Sequence, residues 1–98
     1  MEERYRLIIS TILNAIGCQV EVEHMLSTGR IDIVASTSRF IYVMELKLAN
    51  NGGINAAEKQ IIDNGYLKPF LADDRKVIGL AVELDDMGKG LIDWKEVK

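Results

Sequence analysis

The segments Gly29-Arg30-Ile31-Asp32-Ile33-Val34 and Tyr42-Val43-Met44-Glu45-Leu46-Lys47 decide the fold of this chain. Both are rich in β-branched and other apolar residues, and a short polar segment around Thr37-Ser38-Arg39 separates them. Runs of this kind joined by a short polar loop are typical of a β-hairpin. We therefore predict two antiparallel strands, over residues 30–36 and 40–48.

The register of this hairpin follows from its apolar residues. Matching them gives the pairs Ile31 with Leu46 and Ile33 with Met44. Because strand side chains alternate, Glu45 and Lys47 project from one face of their strand, about 7 Å apart along it. The same register places Asp32 directly opposite Glu45. The hairpin is therefore predicted to bring two carboxylates and a lysine together.

Two carboxylates in opposed strand positions need a compensating charge. Their Cβ atoms would lie about 4.5–5.5 Å apart, and like charges at that distance destabilise each other. A divalent cation such as Mg²⁺ or Mn²⁺ compensates them, with Asp32, Glu45 and the backbone carbonyl of Leu46 as oxygen ligands. Lys47, one pleat further on, would orient a metal-bound water. The alternative is a polar strand face whose charges pair with neighbours and bind no metal.

The rest of the chain surrounds this hairpin with two helices and three more strands. Periodicity predicts a helix over 3–16, a strand from Cys18, a helix from about Asn55 to Lys68, and strands over 75–84 and 91–97. Gly17 ends the first helix, and Asn55 with Glu58 is a capping pair for the second. The predicted fold class is α/β, with a mixed central β-sheet flanked by helices in the order αβββαββ.

Composition bounds the class of protein. The chain has 98 residues, 48% of them hydrophobic, so we expect one domain over residues 1–98 and exclude a disordered chain. No apolar run approaches the ~20 residues of a membrane span. Cys18 is the only cysteine, which suits a reducing, cytoplasmic location. The net charge of −3 argues against a general phosphate-binding surface, so nucleic acid would have to bind locally.

The Gly-Arg-Ile-Asp stretch and the Glu-x-Lys strand resemble the PD-(D/E)XK nuclease superfamily. The pattern is similar to the nuclease-like domain at the C-termini of bacterial AAA-ATPase-like proteins, whose following helix carries Gln and Gly-Tyr, here Gln60 and Gly65-Tyr66. The resemblance implies a restriction-endonuclease-like fold with a metal-dependent phosphodiesterase site at Asp32, Glu45 and Lys47. It also implies an acidic residue on the first helix, with Glu3 as the first choice and Glu2 as the alternative.

The function expected from the resemblance is Mg²⁺-dependent hydrolysis of a nucleic-acid backbone, with DNA as the substrate. Asp32 and Glu45 would hold the metal, Lys47 would position the attacking water, and Glu3 and Gln60 would complete the site. The alternative function is a weak or inactive nuclease fold that serves as a docking or dimerisation module of an ATPase-associated system. Its expected surface is the exposed edge strand at 91–97. The expected partners are therefore DNA, an ATPase domain or a second copy of the chain.

Overall fold

The computed structural model describes residues 1–98. Its main elements, in chain order, are α1 (Glu2–Ala15), β1 (Gln19–Leu26), β2 (Gly29–Ser36), β3 (Phe40–Leu48), α2 (Gly53–Asp63), β4 (Lys76–Leu84) and β5 (Leu91–Val97). Short 3-10 turns at Ala49–Asn51 and Lys68–Phe70 flank α2. The predicted order αβββαββ is confirmed. Neither α1 nor α2 could span a membrane.

The five strands form one mixed sheet in the order β1-β2-β3-β4-β5. β3 and β4 are parallel, and every other neighbouring pair is antiparallel. A parallel pair needs a crossover connection, and α2 provides it between β3 and β4. The predicted mixed sheet and the hairpin are therefore confirmed, and Ile33 lies opposite Met44 as the register required.

The two helices pack on opposite faces of the sheet. Alternation along β3 places Ile41 and Val43 in the apolar cluster that includes Ala57 and Ile61 of α2. Leu46 lies in the other cluster, with residues of α1 and of β4. Full burial of one such aliphatic side chain is worth about 1.5–3 kcal/mol. The chain is thus held together as three layers, with the sheet in the middle.

Side-chain alternation reverses part-way along β1 and β2. Glu23 has a φ of +55°, and the backbone pairing of the two strands skips Glu23 and Asp32. As a result Ile33 packs in the α1 cluster, whereas Ile31, two residues earlier, packs in the α2 cluster. Ile31 faces α2 whereas Leu46 faces α1, so the prediction that these two residues pair was wrong.

The start of α2 also differs from the prediction. The helix begins at Gly53 and ends at Asp63, and no side chain caps it from its N-cap residue. Its first turn is stabilised instead by Glu83 of β4, whose Oε1 accepts the Ile54 N–H at 2.9 Å. A Cβ at Gly53 would lie 2.5 Å from the same oxygen. The predicted capping pair of Asn55 and Glu58 was wrong because a carboxylate distant in sequence takes its place.

Candidate active site where β2 and β3 separate

The candidate site lies where the backbone pairing of β2 and β3 ends. The pairing runs as far as Ile33 and Met44. Beyond it, Asp32 Oδ2 accepts the backbone N–H of Leu46 at 2.8 Å. A side chain therefore replaces a main-chain acceptor, and this bond fixes the Asp32 carboxylate in the gap between the strands. Asp32 is 5% exposed, and Glu45, on the adjacent strand, is 2% exposed.

The surroundings of Asp32 and Glu45 disfavour the ionised form of both carboxylates. Burial, and then the neighbouring Asp32 charge, raise the pKa of Glu45 to about 8. Burial also raises the pKa of Asp32, and its hydrogen bond from Leu46 opposes that rise. Glu45 Oε1 is buried and has no hydrogen-bond partner. Its other oxygen lies 3.9 Å from Lys47 Nζ, so Lys47 compensates only part of the negative charge.

These residues open into a pocket of 660 Å³ that α2, the turn between β1 and β2 and the start of α1 also line. Asp32, Glu45, Lys47 and Gln60, four of the six residues predicted for the site, line it, whereas Glu3 and Leu46 do not. The exposed side chain of Arg30 lines it as well. Only three of its thirteen lining residues are hydrophobic, so the pocket is polar.

The first helix contributes Glu2 to this pocket, and Glu3 does not line it. Glu3 is exposed, whereas Glu2 is half-buried. Burial raises the pKa of Glu2, and so does the nearby charge of Asp32. Successive residues on an α-helix point about 100° apart, so only one of the two can face the pocket. The acidic residue of α1 at the site is therefore Glu2, the alternative choice, and not Glu3.

Tyr66 organises the α2 side of the site without facing solvent. Its hydroxyl donates to the backbone carbonyl of Arg30 at 3.2 Å and accepts from Gln60 Nε2 at 3.1 Å and from Asn64 Nδ2 at 3.2 Å. Tyr66 is fully buried, so its role is structural. Tyr66 takes one N–H of the Gln60 amide, so the other N–H and the amide oxygen of Gln60 remain for the pocket.

Replacing Gly29 with alanine should test this arrangement. A Cβ at Gly29 would lie 2.6 Å from the Tyr66 hydroxyl, which must then move and give up its hydrogen bonds. We expect a loss of about 1–3 kcal/mol in the free energy of unfolding, measured by urea denaturation. The same substitution in a Tyr66→Phe background removes the closest contact and should cost less. An equal cost in both backgrounds would contradict the proposed contact.

Asp32 also makes an ionic contact that was not predicted from the sequence. Arg6 of α1, whose side chain is largely buried, places Nη1 3.9 Å from Asp32 Oδ1 and forms an ion pair with Glu23. Arg6 lowers the pKa of Asp32 and so opposes the effect of burial. The sequence held one indication that Arg6 lies near the site, because Arg6 lies four residues after Glu2 and therefore on the same face of the helix.

The donor set fits a hard divalent cation. Two buried carboxylates lie side by side, and one of their oxygens, Glu45 Oε1, has no protein partner. Oxygen-rich, negatively charged sites of this kind suit Mg²⁺ or Mn²⁺, which retain water and take only one or two protein carboxylates. No group of three or more His, Cys, Asp or Glu side chains is arranged to hold a metal ion. Any ion here would therefore rely on water or substrate oxygens for the rest of its shell.

The raised pKa of Glu45 predicts that the metal-free protein loses stability as pH rises. In the unfolded chain the carboxyl titrates near its ordinary value of 4.5, and in the folded chain near 8. The folded state therefore holds its proton more tightly, and its stability should fall from about pH 5 to about pH 8. Thermal unfolding in a chelator should show this fall in wild type, and Glu45→Gln should flatten it. A melting temperature that rises over this range in wild type would contradict the assignment.

A comparison with known families gives a match over most of the chain. A family model described as the PD-(D/E)XK nuclease superfamily matches residues 1–94. The match covers both helices, β1 to β4 and about half of β5. No curated protein matches the chain.

Proposed function

The chain belongs to the PD-(D/E)XK nuclease superfamily, and from this membership we propose that it is a divalent-metal-dependent nuclease that hydrolyses DNA. Membership implies a phosphodiesterase acting on nucleic acid, and nucleases of this superfamily typically use divalent metal ions. One observation supports the proposal for this chain in particular. Two buried carboxylates, Asp32 and Glu45, lie side by side next to Lys47, at a cost that a bound cation would offset.

The metal ligands we propose are the carboxylates of Asp32 and Glu45 and the backbone carbonyl of Leu46. The Leu46 N–H already holds Asp32 in place, so one ligand is fixed before any ion arrives. An ion bound there would stabilise the negative charge that develops on the scissile phosphate. The bare Glu45 Oε1 would acquire a partner, and the mutual repulsion of the two carboxylates would be offset.

Lys47 is the residue we propose to position the attacking water. Its ammonium group lies beside Glu45 and is partly exposed to the pocket, so it can reach both a ligand carboxylate and an incoming phosphate. An ammonium held there donates hydrogen bonds to water and offsets charge on the phosphate. The amide oxygen of Gln60 and the carboxylate of Glu2 complete the set by accepting hydrogen bonds from water in the same pocket.

DNA is the proposed substrate, and an ATPase domain is a proposed partner. The exposed Arg30 at the rim of the pocket offers a phosphate contact that the net charge of −3 does not provide generally. The resemblance of the Gly-Arg-Ile-Asp and Glu-x-Lys segments to nuclease-like domains of AAA-ATPase-like proteins is the basis for proposing that an ATPase domain delivers the nucleic acid. A protein that binds neither metal nor nucleic acid would instead be a docking or dimerisation module, the alternative function.

Nicking of supercoiled plasmid tests the proposal, and Glu2 and Glu3 provide a matched pair of variants. We expect nicking with Mg²⁺ or Mn²⁺ and none with chelator. Glu2→Gln should lower the rate by about tenfold or more, since it removes a proton acceptor from the pocket. Glu3→Gln should leave the rate unchanged, because Glu3 does not line the pocket.

Two outcomes would contradict the proposed roles. Nicking that persists in chelator would exclude metal-dependent hydrolysis. Equal effects of Glu2→Gln and Glu3→Gln would show that the N-terminus of α1 contributes only general charge. A single-stranded RNA substrate run beside the plasmid tests the choice of DNA, since faster cleavage of RNA would overturn it.

A further inference from the structure

The edge strand β5 is almost entirely exposed. Every residue from Leu91 to Glu96 is exposed, and only Val97 is buried. Three of the exposed residues are large and apolar, with Leu91 60%, Ile92 51% and Trp94 61% exposed. Because β5 is the last strand of the sheet, its outer backbone groups have no strand partner, and such an edge can pair with another chain.

An apolar groove lies beside this edge on the α1 face of the sheet. α1 packs mainly on β1, β2 and β3, so the region over β4 and β5 is open. The groove has a volume of 500 Å³, and nine of its twelve lining residues are hydrophobic, including Ile8, Leu80 and Trp94. An exposed apolar surface next to an open strand edge is typical of a protein interface.

The order of charges along β5 favours one particular partner. In an antiparallel pair related by a two-fold axis, one residue lies opposite its own counterpart. If that residue is Trp94, Asp93 of each copy lies opposite Lys95 of the other, which gives two pairs of opposite charge. An axis through Asp93 or through Lys95 would instead place two like charges opposite each other. The strand is therefore complementary to itself in one register.

We propose that two copies of this chain associate through β5, antiparallel and centred on Trp94, to give a continuous ten-stranded sheet. The faces on which the β5 side chains lie match this register, and pairing would exchange the bonds of Lys95 to Glu58 and of Asp93 Oδ1 to the Trp94 N–H for bonds between copies. Lys95 lies on the α2 face, where its Nζ is 2.9 Å from Glu58, and alternation places Asp93 on the same face. Trp94 lies opposite Val82 and borders the groove on the α1 face. The two tryptophans would therefore pack against each other, next to both grooves.

Charge-reversal variants test this register. Sedimentation velocity over a range of protein concentrations should show a dimer for wild type and a monomer for Asp93→Lys and for Lys95→Asp. An equimolar mixture of the two variants should dimerise again, because each lysine of one variant would then face an aspartate of the other. Asp74→Lys makes the same charge change at an exposed position outside β5 and should stay dimeric. Asp93→Lys should fold, since position 93 lies opposite Glu83 on β4.

The fluorescence of Trp94 provides an independent measurement of association, because Trp94 is the only tryptophan in the chain. Its emission should shift to shorter wavelength as wild-type concentration rises, and it should not shift in Asp93→Lys. A monomer at every wild-type concentration would overturn the proposal. So would a dimer that survives both single reversals, since another surface would then hold it. The test does not involve nuclease activity, so its outcome is independent of the proposed function.

Discussion

Replacing Lys47 with alanine should lower the rate of plasmid nicking by about 100-fold or more, the typical cost of losing one charge-stabilising donor in an active site. Lys47 is the only cation within 4 Å of Glu45, and we propose that it positions the attacking water. The carboxylates that hold the metal are unchanged in this variant. Mn²⁺ affinity, measured by calorimetric titration, should therefore change much less than the rate.

The control for this variant is Lys76→Ala. Lys76 is exposed and lies at the start of β4, opposite Phe40 and so at the far end of β3 from Lys47. The control removes the same charge from the chain but not from the pocket, and it should nick DNA at the wild-type rate. If both variants lost activity equally, Lys47 would contribute only to the general attraction of DNA.

Two substitutions of Asp32 should separate its structural role from its metal-binding role. Asp32→Ala removes the acceptor of the buried Leu46 N–H, and we expect a loss of about 1–3 kcal/mol in metal-free stability. Asp32→Asn keeps an oxygen for that N–H and removes a charge beside Glu45, so its metal-free stability should equal or exceed that of wild type. Both variants should lose nicking, because neither retains the carboxylate ligand.

Thermal unfolding with and without Mn²⁺ provides the measurement. At a hundred times its dissociation constant, a ligand that binds only the folded state stabilises it by about 2.7 kcal/mol. Wild type should show such a rise, and neither Asp32 variant should. A rise in Asp32→Asn as large as that in wild type would show that Asp32 is not a ligand.

Local sequence patterns were sufficient to predict the order of the elements and the grouping of most candidate residues. Alternation in β3 places Glu45 and Lys47 on one face, and the apolar residues of the hairpin set the register at Ile33 and Met44. These features depend on residues close together in sequence, where side-chain periodicity is informative. The same register predicts Asp32 directly opposite Glu45, but the backbone pairing ends at Ile33 and Met44, and Asp32 is held there by its side-chain bond from the Leu46 N–H.

The missed features depend on contacts between residues distant in sequence. β2 is apolar on both sides of Asp32, so its pattern cannot show that Ile31 faces α2 while Ile33 faces α1. The change of face accompanies the positive φ of Glu23, whose side chain pairs with Arg6 on another element. No residue pattern within β2 indicates the change of face or the ion pair between Glu23 and Arg6.

The other errors concern the first turns of α1 and α2, and they too arise from contacts between residues that are distant in sequence. The choice between Glu2 and Glu3 depends on which residue of α1 faces the pocket, and one residue of error rotates the side chain by about 100°. At α2, Glu83 of β4 takes the role assigned to Asn55, and the sequence places these residues far apart. Local sequence patterns cannot predict a helix cap that is supplied by another strand.

The most direct test of the proposed metal site is a calorimetric titration of Mn²⁺ into the wild-type protein and into Glu45→Gln. Glu45 is the most deeply buried charged residue of the site and carries its bare oxygen. We expect saturable binding to wild type, metal-dependent plasmid nicking by the same sample, and neither in Glu45→Gln. Absence of Mn²⁺ binding to the wild-type protein would contradict the proposed function, because the two buried carboxylates would then have another purpose.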